Sequence, residues 1–571
     1  MSFGQFELHR LQSAVDERRD VDLRRPHSNF ALVQELFGDS PTMSRLFSIA
    51  RSPHDCVRCV IEKIDDKGLL AADTEELCKW GYKCSPENLR LSFWGRDGRL
   101  AGYVIARNDN VDGGGCKWYV FESVFRKYPH DHNCVAHTCD YRVMVNDAVY
   151  SVRGVMFCQQ NGRNKRCAQV ALRALFSRLP SCNGLSYAQI NEIASRFPGE
   201  VDENGKFHPR LGLSAAQIEG VLGELGLRCK SINYAKESCD RAEEWAKTVD
   251  WRGKSEGEKK EAVDRRAREE NLQLHKTIRY GRVVYCGAES GLGALIGLRV
   301  FDGKRHSLHI VPIFGHTFNQ DSWVPDSQKY YFVSSDPEED KTAGSWSVPT
   351  AYIQSDNWTS SFIGHDDNLG SDYCIPRAYL KPSNVAYVVE LLSPGAVYSG
   401  VVAEAIGLVA LRNLMQQVDA TSVWMMRLIS AYASGDVILR SLCVSPTEYY
   451  NHLQTERDWS YRQESLVMTD GFRRMKHPEK IWVVEISLPQ LFPANKRKLG
   501  EIVLDATNEK LEPSMGTESE GEQLIKSVLW IRLPGGYYMP SSYCPDDPEQ
   551  TLHFESAPSD IQSHFPVMRF S

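Results

Sequence analysis

MFCQQNGRNKRCAQVALRAL, residues 156–175, carries a change of pattern on which the fold turns. An apolar strand end runs into Cys158 and then a polar turn containing Gly162. Cys167 opens the next segment, which puts Val170, Ala171, Ala174, Leu175 and Leu179 on one helical face. Just upstream, YRVMVNDAVYSVRG (141–154) alternates as one or two strands do. Downstream, LSYAQI at 185 and LSAAQI at 213 are two helix starts: Ser186 and Ser214 cap, and Gln189 and Gln217 reach back. A strand, a turn, a cysteine-headed helix and a helical subdomain follow one another.

Outward from this centre the patterns are mixed. TMSRLFSIARSPHDCVRCVIEKI (42–64) has helix-like apolar spacing, and LSFWGRDGRLAGYVIARND (91–109) reads as strand, Asp-Gly turn, strand. The run 235–272 is highly charged and almost free of large aliphatics, as a solvated helix or mobile insertion is. RVVYCG (282–287), ALIGLRVF (294–301) and SLHIVPIF (307–314) read as strands. Beyond 375, NVAYVVELL suggests a strand and VVAEAIGLVALRNLM a helix; KIWVVEISL, GEIVLDAT and SVLWIRLPGGYYM form a β-rich end, with 509–523 an exposed loop. The expectation is an α+β protein with domains at 1–140, 141–376 and 377–571, the charged insertion lying within the second.

Composition narrows the function classes. At 571 residues the chain exceeds one ordinary core. With 42% hydrophobic and 25% charged residues it is neither disordered nor fibrous. A net charge of −7 does not favour nucleic acid or an anionic membrane as partner. No stretch reads as a signal peptide or a membrane span. Sixteen cysteines without an export signal then imply a reducing, cytoplasmic setting, where thiols stay free, bind metal or do chemistry.

Cys167 is the thiol placed for chemistry. A helix amino terminus favours negative charge through its dipole and free N–H groups, and the thiolate is the nucleophilic form. An amide a few residues upstream, Gln160 or its neighbour Gln159, would join the Cys167 N–H as donor to an oxyanion. By strand period, His309 shares a face with Val311 and Ile313, whereas His306 faces the other way.

Three segments together, MFCQQNGRNKRCAQVALRAL, VVYCGAESGLGALIGLRVFDGKRHSLHIVPIFG and FIGHDDNLG, resemble the papain-like cysteine peptidase superfamily, nearest to the peptidases that cleave bacteriocin leader sequences. The resemblance covers roughly residues 150–376. It implies a helical half and an antiparallel β half, with Cys167 as nucleophile, Gln160 as oxyanion donor, a histidine base and an orienting carboxylate. In such enzymes the histidine stands six residues before a strand-ending glycine, as His309 does before Gly315; His316 and His306 are the other candidates. The carboxylate is then Asp366, ahead of Asp367 and of Asp321, the last in a DSW that resembles the papain Asn-Ser-Trp. A protein or peptide substrate is implied, with no cofactor, no nucleic acid and no membrane. A decayed, non-catalytic binding protein on the same fold and a transglutaminase-like acyltransferase are the competing readings.

Zinc-type ligands also cluster near the amino terminus: His130, His132, Cys134, His137 and Cys139, and His54, Cys56 and Cys59, with Cys78 and Cys84 beyond. No pair-plus-pair spacing is met, so these are expected to be structural thiols and loop histidines, with no metal.

Overall fold

The computed structural model describes residues 19–24, 40–52, 54–111, 118–127, 133–135, 138–179, 184–277, 279–301, 306–321, 329–332, 350–415, 422–457, 472–473, 476–508, 527–534, 536–540, 552–556 and 564–568. The chain is a mixed α+β protein, and its described residues form three large sheets.

The first sheet is antiparallel, in the order Arg19–Asp22, Cys56–Lys63, Glu87–Gly95, Leu100–Asn108, Trp118–Arg126, Ala148–Phe157 and Cys139–Val145. Its last two strands meet at Asn146-Asp147, both left-handed at φ 50° and 61°, the conformation a two-residue hairpin with native twist requires. The domain boundary expected at 140 therefore falls inside this sheet. The stretch 42–64 is not one helix. The helix Pro41–Arg51 stops before Ser52, which is extended at φ −146° as a residue preceding proline prefers to be. Asp55, at φ 49°, then turns the chain into the strand Cys56–Lys63. Met43, Leu46, Phe47 and Ala50 of the helix pack on Leu89, Leu91 and Phe93 of the sheet.

The second sheet runs Gly370–Pro376, Ser361–Asp366, His306–Thr317, Ala294–Phe301, Val385–Leu391 and Cys229–Ile232, with Asn133–Val135 also pairing the His306–Thr317 strand. The helix Cys167–Phe176 is clasped between this sheet and the helices Tyr187–Ala194 and Ala215–Glu224. Ala168, Ala171, Leu172 and Leu175 share one core with Ile190, Ile218, Leu222, Leu295, Ile310 and Val389. Both capping boxes form: Ser186 Oγ accepts from Gln189 N and Ser214 Oγ from Gln217 N, each at 3.2 Å.

RVVYCG is helical, not a strand. It lies in the helix Tyr280–Glu289, every residue of which is buried. A helix covered on all sides shows no 3.6-residue alternation, so its apolar run is indistinguishable from a buried strand. The charged run forms two helices, Tyr234–Thr248 and Glu256–Thr277, packed on each other.

The third sheet runs Lys329–Phe332, Thr350–Gln354, Ile438–Val444, Ile481–Ser487, Gly500–Asp505, Val528–Leu533, Gly536–Pro540 and Leu552–Ser556. The helix Gly400–Met415 covers it. The strands Lys329–Phe332 and Thr350–Gln354 thus join the carboxy-terminal sheet and Val385–Leu391 joins the central one, so the boundary expected at 376 is crossed in both directions. The loop at 509–523 lies outside the described residues. Among the described residues no helix is long and apolar enough to cross a membrane.

Candidate active site

The helix begins at Cys167 because the loop before it is tied down. Arg166 is extended and its N–H donates to Gln169 Oε1 at 3.2 Å, so the chain cannot continue helically backwards. Asn161 Oδ1 accepts from the N–H groups of Arg163 and Lys165, at 2.9 and 3.3 Å, around Gly162 at φ 71°. Lys165 is fully buried. Its ammonium lies 3.0 Å from Asp73 Oδ2 and 4.4–4.6 Å from the ring centres of Tyr119, Phe121 and Tyr187, so a carboxylate and three π-faces replace its water. Asn164 donates to Asp73 Oδ1 at 2.9 Å and Glu76 Oε2 at 2.8 Å. Asp73 and Glu76 sit on the helix Leu69–Lys79, so the amino-terminal region anchors the Cys167 loop.

His309 lies on the strand between Ala294–Phe301 and Ser361–Asp366, opposite Leu298. Antiparallel pairing with Ser361–Asp366 brings the end of that strand beside the imidazole. His309 Nε2 is 3.2 Å from Asp366 Oδ1 and 3.4 Å from Asp367 Oδ1, ion-pair distances without the alignment of a hydrogen bond. The Cys167 thiol is among the groups that act on the same imidazole. Burial disfavours the imidazolium, but Asp366, Cys167 and Asp367 outweigh it and raise His309 to about 10.

The two carboxylates differ. Asp366 Oδ1 accepts the N–H groups of Asn368 and Leu369, at 2.9 and 3.1 Å. Against the cost of burial, His309 and these donors hold Asp366 below the ordinary carboxylate value. Among the described residues neither oxygen of Asp367 has a hydrogen bond. Burial, reinforced by Asp366 and opposed by His309, lifts Asp367 to about 7.

The candidates separate plainly. Gln160 Nε2 donates to Asn368 Oδ1 at 3.0 Å, which sets it beside the Asp366 turn. Gln159 is committed to the fold: its Oε1 accepts from Val120 N and its Nε2 donates to Thr42 Oγ1, both at 3.1 Å. His316 points elsewhere. It is 1% exposed, its Nε2 is 2.8 Å from Glu289 Oε1, and its Nδ1 lies 3.0 Å from Thr317 O. The backbone of His306 pairs with Phe301 towards the far end of the strand; its side chain is outside the described residues. Asp321 accepts from Trp358 Nε1 through its carbonyl at 2.9 Å, and no described contact joins it to His309.

Tyr387 and Asn368 are neighbours that sequence reading missed. Tyr387 is buried beside Cys167; burial, then Cys167 and Glu219, raises its hydroxyl above the ordinary value. Its place in an apolar strand run gave no hint of this.

Of the amino-terminal thiols, Cys56 and Cys59 lie in the core of the first sheet, and burial pushes Cys56 up to about 12. Cys78 and Cys84 sulfurs are 4.0 Å apart, and Cys139 Sγ donates to Arg178 O at 3.4 Å. Cys134 pairs with His316 across the strands, while His130, His132 and His137 lie outside the described residues. Neither a protein-family model, nor a curated protein, nor a solved structure matches the chain.

Proposed function

We propose that the chain is a cysteine peptidase or isopeptidase of papain-like architecture, acting on a protein or peptide in a reducing, cytoplasmic setting. One arrangement supports the reading: the imidazole of His309, on which the helix-heading thiol of Cys167 acts, has beside it a carboxylate held by two backbone donors. The placing of the Cys167 helix between a helical layer and an antiparallel sheet supports it.

In this proposal His309 takes the proton of Cys167, and the thiolate adds to the substrate carbonyl. The oxyanion meets the Cys167 N–H and the Gln160 amide. That amide has two protons; one is directed to Asn368, which orients the group and leaves the other for the oxyanion. Collapse expels the amine, which takes the proton from His309, and water resolves the thioester. Asp366 holds the imidazole tautomer throughout.

The test is alkylation of the full chain by dilute iodoacetamide near pH 6, each cysteine being followed by peptide mass spectrometry. Cys167 is expected to react faster than the other fifteen. Equal rates, with Cys167→Ser leaving the protein's biological effect intact, would defeat the proposal. A fluorescent amine supplied with substrate separates acyl transfer, which incorporates it, from hydrolysis, which does not.

A further inference from the structure

The peptidase reading uses Asp366 and leaves Asp367 without a task. A carboxylate 5% exposed, with no hydrogen bond to either oxygen among the described residues and an imidazole edge at 3.4 Å as its ion-pair neighbour, requires a reason, because a buried carboxylate short of donors is costly and commonly marks an ion. His309 Nε2, which Asp367 Oδ1 approaches at 3.4 Å, likewise lacks a hydrogen bond.

The spacing of the donor atoms supplies the reason. His309 Nε2, Asp366 Oδ1 and Asp367 Oδ1 are separated by 3.2 Å and 3.4 Å across the two histidine–aspartate edges, and one donor from each of the three residues falls within 4.8 Å of the others. Ligand bonds of about 2.0–2.1 Å at tetrahedral angles put neighbouring donors about 3.3 Å apart. One imidazole and two carboxylates form a nitrogen–oxygen set suited to zinc-type divalent ions.

We propose that His309, Asp366 and Asp367 bind a zinc-type divalent cation, and that this state excludes the thiol chemistry of Cys167. A ring nitrogen that ligates a metal carries no proton, so the imidazolium required beside a Cys167 thiolate does not form. Binding itself is independent of the peptidase reading; the exclusion rests on it.

Cobalt(II) is the probe for binding, added to the full-length apo protein and to its Cys167→Ser, His309→Gln and Asp367→Asn variants. Wild type and Cys167→Ser are expected to take up one equivalent with the visible bands of a nitrogen–oxygen site. His309→Gln loses that equivalent and Asp367→Asn weakens it at least tenfold. Sulfur-to-cobalt charge transfer would instead report thiols such as Cys78 and Cys84. Asp367→Asn removes a charge that no hydrogen bond supports, and circular dichroism checks that it folds. Equal uptake by wild type and both ligand variants overturns the site. Zinc is then expected to slow iodoacetamide alkylation of Cys167 at least tenfold in wild type and not in Asp367→Asn. Normal cobalt uptake with unchanged alkylation overturns the exclusion, whereas uniformly slow Cys167 alkylation without metal counts against the peptidase reading alone.

Discussion

Two histidines seven residues apart on one strand have opposite surroundings. His316 is sealed into a buried charge ladder. Glu289 receives it on one oxygen and Arg440 on the other at 2.7 Å; Arg440 reaches Glu485 at 2.9 Å, and Lys498, Glu501 and Arg532 continue the alternation into the third sheet. Each carboxylate there has a cation. His309, 12% exposed at its side chain, has two carboxylates at 3.2 and 3.4 Å, and among the described residues one of them has no hydrogen bond. A ladder in which charges are matched serves to join sheets; a cluster left unmatched is poised to take or give a proton, or to hold an ion.

The largest test of this contrast is Glu289→Gln. It strips the charge facing Arg440 and His316, and breaking a buried pair costs about 3–5 kcal/mol. Denaturant unfolding should show that loss while Cys167 alkylation is unchanged. The complementary change, His309→Gln, should slow alkylation by about 10²-fold, the lower range for a positioned general base, with little loss of stability. If Glu289→Gln silences the thiol or His309→Gln unfolds the protein, the two histidines do not divide their roles this way.

Asp367→Asn is the same kind of charge removal beside the other histidine. It should be neutral or stabilising by about 1 kcal/mol, opposite in sign to Glu289→Gln, because the lost charge had no hydrogen bond to forfeit. The smallest effect is in acid. Burial works against the Glu289 carboxylate, but Arg440 and His316 hold it at about 2, below its ordinary 4.5. Its contribution is therefore complete above pH 4.5 and is lost as pH falls towards 2. Stability measured from pH 5 to 2 should fall less steeply in Glu289→Gln than in wild type.

Local signals were legible. The Ser186 and Ser214 caps, the Asp97-Gly98 turn between two strands and the helix start at Cys167 are each written within a few residues. Reading failed where burial erased periodicity, as in Tyr280–Glu289, and where a strand paired far from its neighbours in the chain. Thr350–Gln354, which pairs in parallel with Ile438–Val444, is such a case. The site was legible only as candidates. Gln159 and Gln160 are adjacent and chemically identical, and they differ only because Val120 and Thr42 claim one and Asn368 the other.

By itself the sequence determined where helices and turns start, which thiol heads a helix, and which strands carry imidazoles and carboxylates, because capping, turn chemistry and strand alternation act over a few residues. Only the tertiary structure decided which histidine lies against Asp366 and Asp367, which meets Glu289, and that among the described residues the Asp367 carboxylate has no hydrogen bond. Those outcomes depend on sheet register and on packing between segments that are not neighbours in the chain, where a shift of one residue reverses the face of every side chain.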